Sequence, residues 1–173
     1  MGKSTKFGIQ FFNKYTMKLF AILFCFAINV NCFAQNEFFN TEGKRVIGTF
    51  FEGFHKGDTL LMKQTMADEL IFQTASKDEE QKDVLKQDDV AGFIKAIGSG
   101  RPVTEKWEER ISSYTVKVDG NMANAWTEYE FWRDGIFSHC GVNSFQLFHD
   151  NGTWKIIYLI DTRRKSSCEA YSE

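Results

Sequence analysis

Five side chains in the second half of the chain have types and spacing suited to chemistry. Trp126, Glu128 and Glu130 lie in one segment, His139 and Asn143 in the next. Apolar and polar residues alternate in both segments, so both are predicted strands. Asp134-Gly135 between them is a hairpin signal, because a type I′ turn needs positive φ at both central positions. A two-residue turn there sets Arg133 opposite Ile136. The same register sets Glu130 opposite His139, Glu128 opposite Gly141 and Trp126 opposite Asn143. Histidine titrates near neutral pH, and a facing carboxylate orients it and supports its charged form, as general acid–base catalysis requires. A plainer reading makes Glu130 and His139 a salt bridge at an open rim, and Asn143 a hydrogen-bonded core residue. Glu128, with only Gly141 across from it, would have open space before it.

A second turn at Asn151-Gly152 sets Leu147 opposite Ile156, Phe145 opposite Tyr158 and Asn143 opposite Ile160. Side chains alternate between faces, so these pairs share one side of the sheet. That side also carries Phe137 and Trp154, and it is the expected concave face. Trp126, Glu128, Asn143 and Tyr158 are then candidate pocket residues, with Phe50 and Phe54 closing the pocket from a helix. A single β-bulge, common in curved sheets, would move half of this set to the outer face. The other face is expected to hold Ala123, Ala125, Thr127, Tyr129 and Phe131 beside Cys140, Val142, Ser144 and Phe148, with Ile157 and Leu159. So apolar a face needs covering, and a sheet-to-sheet homodimer would cover it.

The elements that must position these residues follow from the pattern. Val46, Phe50 and Phe54 recur four apart, with Ile47 and Phe51 beside them, as one apolar stripe on a helix over 37–56. Gly57 is a natural stop and Asp58 a natural N-cap for a short helix, TLLMKQTM. A short strand over 69–74 and a charged solvated loop, SKDEEQKD, follow. Asp88 or Asp89 caps a third helix that ends at Gly98. His55, beside the Gly57 break, is expected to be a favourable cation at a helix C-terminus. The remaining chain is four strands broken by Asp119-Gly120, Asp134-Gly135 and Asn151-Gly152, a meander. No strand partners are assigned from Trp107 to Val118. Helices first and a curved meander second make the class α+β.

The N-terminus is expected to be a secretory signal peptide, residues 1–34. Lys3, Lys6, Lys14 and Lys18 lead an uncharged apolar run, and Cys32 and Ala34 suit the −3 and −1 positions before cleavage. The run is short for a membrane-spanning helix, so no stable membrane insertion is expected after cleavage. Met17 is an alternative start. The remaining 35–173 would form one domain with a polar tail over 165–173. Without the four leader lysines, 17 basic residues face 23 acidic ones, a net charge of −6. That balance, with no basic stripe, argues against nucleic acid. Cys140 and Cys168 survive cleavage; export would permit a disulfide between them, but two free thiols, one packed in the sheet, are the expectation. No metal or cofactor motif is present: there is no His-Glu-x-x-His, Cys-x-x-Cys, Gly-x-Ser-x-Gly or dinucleotide glycine pattern. GKST at the N-terminus lacks the upstream glycine of a phosphate-binding loop.

FFEGFHKGDTLLMKQTMADELIF and GVNSFQLFHDNGTWKIIYLIDTRR resemble the opening and the closing hairpin of the nuclear transport factor 2-like superfamily. The resemblance covers nearly all of 37–164. It implies a cone of curved antiparallel sheet closed by helices, and frequent homodimers. For function it implies only a range: isomerases, dehydratases and cyclases that move protons in the cone, transport adaptors, and members of no known activity. The lumazine-binding label of some relatives implies little, since no residue set here dictates a pteridine site. Three readings follow. The first is an exported domain binding a small apolar or aromatic ligand. The second is a lyase, isomerase or cyclase using His139 with Glu130. The third is a dimeric scaffold.

Overall fold

The computed structural model describes residues 41–100, 102 and 104–168, which all fall in one compact unit, Phe38–Glu173. The expected leader, residues 1–34, and the last residues of the polar tail lie outside the described residues. The α+β expectation holds: three helices pack on a six-stranded, mostly antiparallel curled sheet.

The first helix, α1, runs through 41–56. It buries the stripe read from its spacing, with Val46, Ile47, Phe50, Phe51 and Phe54 all in the core. Gly57 stops it at φ 71°. Asp58 accepts the N–H groups of Leu60 and Leu61 at 3.1 and 3.0 Å and so caps α2, Thr59–Thr65. The chain then enters β1, Met66–Lys77, turns through the charged loop and returns as β2, Asp83–Asp88. β2 is an exposed edge strand that charge-rich composition masked. Of the two candidate caps, Asp89 holds α3, Val90–Lys95, by accepting from Ala91 and Gly92; a π turn, Ala96–Gly100, closes it.

The meander follows as β3 (Trp107–Asp119), β4 (Met122–Arg133), β5 (Ile136–Asp150) and β6 (Thr153–Thr162). Strand order is β2-β1-β6-β5-β4-β3, with β1 and β6 parallel and every other neighbour antiparallel. Both central residues of Asp134-Gly135 and of Asn151-Gly152 have positive φ, as type I′ hairpins demand. Phe50 lies at the centre, its ring edge-on to Phe72 of β1 and to Phe145 of β5. Such packing adds roughly 0.5–1.5 kcal/mol per pair beyond area burial. Helix and sheet are thus held together by aromatic contacts, and the core lies between α1 and the concave face.

Bulges decide which residues face that core. The β4–β5 ladder starts in the expected register, with Arg133 opposite Ile136 and Trp132 opposite Phe137. One residue then drops out of the ladder at Ser138, so Phe131 faces His139 and Glu130 faces Cys140. From there on the pairing is displaced by one for the rest of the hairpin. The β5–β6 ladder behaves likewise: Leu147 faces Ile156 as expected, but past a bulge Phe145 faces Leu159, Ser144 faces Ile160 and Asn143 faces Asp161. Ala123, Ala125, Thr127, Tyr129 and Phe131, expected outside, line or underlie the concave face instead, and Leu159 joins them.

The chain end corrects a second expectation. Cys140 and Cys168 are bonded as a disulfide with Cα atoms 5.7 Å apart, so they are not free thiols. The bridge becomes possible because Arg164 returns alongside Cys140, exchanging two backbone hydrogen bonds of 3.0 Å. The sequence shows neither approach, since Cys168 lies in a polar segment far from the sheet's hairpins.

Candidate functional site

Between α1, α3 and the concave face of β1 and β3–β6 lies a cavity of about 610 Å³. That volume is within the ordinary range of small-molecule sites. One wall is aromatic: Phe50, Phe51, Phe54, Phe72, Phe93 and Trp107. The other is polar and comes from four different strands. β3 contributes Glu109, β4 Tyr129, β5 His139 and Asn143, and β6 Asp161, with Arg163 just past its end.

Asn143 donates from Nδ2 to Glu109 Oε1 at 2.6 Å, and the same nitrogen lies 3.4 Å from Thr127 Oγ1. Burial pushes the Glu109 carboxyl up to about 8; the Asp161 charge adds to the rise, while Asn143 and Arg163 oppose it. At neutral pH Glu109 is therefore mostly an uncharged acid. The backbone N–H of Glu109 donates to His55 Nε2 at 2.9 Å. His55 thus accepts from β3 at that nitrogen, a contact that its place beside Gly57 at the end of α1 did not suggest.

His139 leans on the aromatic rings, with its centroid 5.0 Å from Phe131 and edge-on to Tyr129. Its Nδ1 is 3.1 Å from Ser138 Oγ, the hydroxyl of the bulged residue. Burial holds the imidazole down at about 4, helped by the Arg163 charge, so it is neutral at pH 7. Tyr129 donates to the Thr162 carbonyl at 2.9 Å and lies 3.2 Å from Asp161 Oδ2. Burial, then the charges of Asp161 and Glu109, hold its phenol far above the usual range. Arg163 Nε donates to Asp161 Oδ2 at 2.7 Å. Burial works against the Arg163 charge, but Asp161 outweighs it and the guanidinium stays ionised.

His139 and Asn143 therefore face the cavity, with Phe50 and Phe54, as the spacing suggested. The expected partners do not. Glu130 sits on the convex face opposite Cys140 and Arg110, and accepts from Trp132 Nε1 at 3.0 Å, so the Glu130–His139 pair does not form. Glu128 faces Val142 and Ser113 rather than open space across from Gly141. Trp126, opposite Ser144 and Thr115, is 48% exposed on the same outer side. Tyr158 faces Gln146, pairs with Ile71 and donates to Gln73 Oε1, outside the cavity lining. For the β4 residues the cause is the bulged residue Ser138, which exchanges the faces of β4 relative to the turn-based register; for Tyr158 it is the separate bulge in the β5–β6 ladder.

Glu109, Tyr129, Asp161 and Arg163 were not among the sequence candidates. Glu109 carried a usable signal: in Trp107-x-Glu109-x-Ile111 the acid shares a face with two large hydrophobes, which exposed strands avoid. Asp161 and Arg163 stand in a run, DTRR, that reads as a polar end of the last strand. Past the β5–β6 bulge Asp161 pairs with Asn143 and so shares its inward face, with Arg163 two residues on.

No family model matches the chain, and no curated protein matches it. Solved structures do. A subunit from Novosphingobium aromaticivorans, described as the beta subunit of a candidate aromatic-ring-hydroxylating dioxygenase, superposes with a TM-score of 0.60 at 11% identity, over 75% of this chain and 91% of that one. A candidate dehydratase of the nuclear transport factor 2-like family from Streptomyces avermitilis gives 0.58 at 11% identity, over 75% and 99%. Another Novosphingobium aromaticivorans protein of that fold, with a cystatin-like description, gives 0.58 at 13% identity, over 86% and 95%. At these identities the likeness concerns the fold.

Proposed function

This chain has the nuclear transport factor 2-like fold, and on that premise we propose that it is an exported small-molecule-binding domain whose cone takes an apolar or aromatic ligand. One observation carries the reading: the cavity of about 610 Å³ pairs an aromatic wall with a compact polar end. A merely structural core would be filled, since interiors are packed to crystal density. The polar end fixes orientation and the aromatic wall supplies the binding free energy. Export rests on the basic, apolar and small-residue succession of the leader. A screen of one- to three-ring aromatic compounds by thermal shift tests the binding. At least one class should raise the melting temperature in a saturable way, and Asn143→Leu should abolish the rise. A flat response across the screen contradicts the reading.

A second reading, acid–base chemistry, is favoured by one feature: His139 and Glu109 open on the same cavity, although Glu130 does not. A histidine that is neutral and a carboxyl that is protonated at pH 7 can exchange roles as base and acid on a bound ligand. Turnover lost in both His139→Gln and Glu109→Gln, with ligand affinity retained, would support it.

A homodimer through the convex face belongs to the same proposal. Trp126, Ile71 and Phe148 are 48, 42 and 38% exposed on that side, a group that water leaves costly. Light scattering should give twice the monomer mass, and Trp126→Glu should halve it. A monomeric wild-type protein contradicts the dimer.

A further inference from the structure

The polar wall of the cavity offers a carboxyl with one oxygen that no described side chain engages. Asn143 serves Oε1 of Glu109, and no other described side chain hydrogen-bonds to that carboxyl. An ionised carboxylate facing so apolar a cavity needs several donors. A protonated one needs, instead, an acceptor for its hydroxyl. We infer that the cavity selects an uncharged ligand, an aromatic body bearing a carbonyl-type oxygen, which accepts a hydrogen bond from Glu109 Oε2. The inference rests on the small-molecule reading above and specifies the ligand class.

The groups that face Glu109 from each packed element support this choice. His55 from α1 accepts the Glu109 backbone N–H through Nε2. Tyr114 on β3, Tyr129 on β4 and His139 on β5 are all held toward their uncharged forms, each chiefly by burial. The two charges at the end of β6, Asp161 and Arg163 just beyond it, cancel each other across 2.7 Å. The remaining cavity charges are engaged as well: Asp88 by the Thr74 hydroxyl, Asp89 by the first N–H groups of α3, and Arg133 by Glu105. A carboxylate ligand would bring its charge to Asp161, and an ammonium ligand would bring its own to Arg163. Neither would find an uncompensated counter-ion to offset its desolvation. An uncharged carbonyl pays no such cost and satisfies the orphan hydroxyl.

Three probes of one shape separate the possibilities: 2-acetonaphthone (uncharged), 2-naphthoate (anion) and 2-naphthylmethylamine (cation), titrated calorimetrically against the full chain. At pH 7 the ketone should bind at least about tenfold tighter than either charged probe. Only protonated Glu109 donates, so ketone affinity should be level below pH 7 and about tenfold weaker at pH 9. Glu109→Gln, whose amide still donates, should bind the ketone at every pH with no such decline. Glu109→Ala should lose about tenfold at pH 7. Tighter binding of the amine or the naphthoate overturns the inference, as does a ketone affinity in the wild type that ignores pH. Failure of all three probes to bind, at either pH, in protein that melts cooperatively would instead overturn the small-molecule reading on which the inference rests.

Discussion

Gly141 is the most crowded of the described glycines, and replacing it with alanine tests how the polar wall is held. A Cβ built on Gly141 would lie 1.8 Å from the carbonyl oxygen of Thr162 and 2.9 Å from Tyr129 Cε1. The first neighbour is backbone, so it cannot rotate away. The end of β6 must move, and it carries two hydrogen bonds with it: Tyr129 Oη to the Thr162 carbonyl at 2.9 Å, and the Val142 N–H to Thr162 Oγ1 at 3.1 Å. Overpacking costs about 1–3 kcal/mol and each of the two lost hydrogen bonds about 1 kcal/mol, so Gly141→Ala should destabilise by roughly 3–5 kcal/mol. For a domain of this size the melting temperature should fall by about 10 °C or more. Urea unfolding of wild type and variant, with tryptophan fluorescence as the probe, measures the difference. The slope against urea should stay unchanged, because the surface exposed on unfolding does not change. A loss below about 1 kcal/mol would refute the reasoning, since it would mean that Thr162 does not pass over Gly141 as described.

Three further outcomes follow from the same geometry. The Cys140–Cys168 bridge closes a segment with a sequence separation of 28, so removing it by dithiothreitol or by the double alanine substitution should cost about 3–4 kcal/mol of stability to urea. The pH dependence of stability has two opposed parts. Glu109 has its folded pKa raised from 4.5 to about 8, so its contribution is full below pH 4.5 and is lost as pH rises toward 8. His139 has its folded pKa lowered from 6.5 to about 4, so its contribution is present above pH 6.5 and is lost as pH falls toward 4. The two offset each other between about pH 4.5 and 6.5, and above that stability should fall toward pH 8 at no more than about 1.4 kcal/mol per pH unit; Glu109→Gln should flatten that fall, as denaturation midpoints at pH 6, 7 and 8 will show. Glu130→Gln, on the convex face, should change ligand affinity by less than about twofold, the expectation for a side chain outside the cavity.

Much of the fold is legible in the residues, and the reasons are local. The Phe50–Phe54 stripe, the Asp58 cap, and the Asp134-Gly135 and Asn151-Gly152 turns each depend on neighbours within one helical turn or one hairpin, so spacing alone fixes them. The site is less legible because it depends on register. A hairpin turn sets the pairing only up to the first irregularity, and Ser138 is an irregularity two residues beyond Ile136. No residue type demands a bulge there; the curvature of the sheet does. Hence His139, close to the turn on the bulged strand, and Asn143 keep their inward direction, while Glu130, Glu128 and Trp126 on the facing strand exchange places with Phe131, Tyr129 and Thr127. Glu109 needed a partner for β3, and Asp161 needed the shifted pairing of β5 with β6 past their bulge. Both are contacts between residues far apart in sequence. The disulfide is illegible for the same reason: Cys168 reaches Cys140 only because Arg164 adds a bridge beside it.

The central claim is that the concave cavity is where a ligand binds, with its polar head against Glu109, Asn143 and His139. A crystal structure of the full chain grown with 2-acetonaphthone tests this most directly. The account predicts the naphthalene ring against Phe54, Phe93 and Trp107, and the ketone oxygen within hydrogen-bond distance of Glu109 Oε2. A cavity filled by side chains, or a probe seated only on the convex face around Trp126, would contradict it.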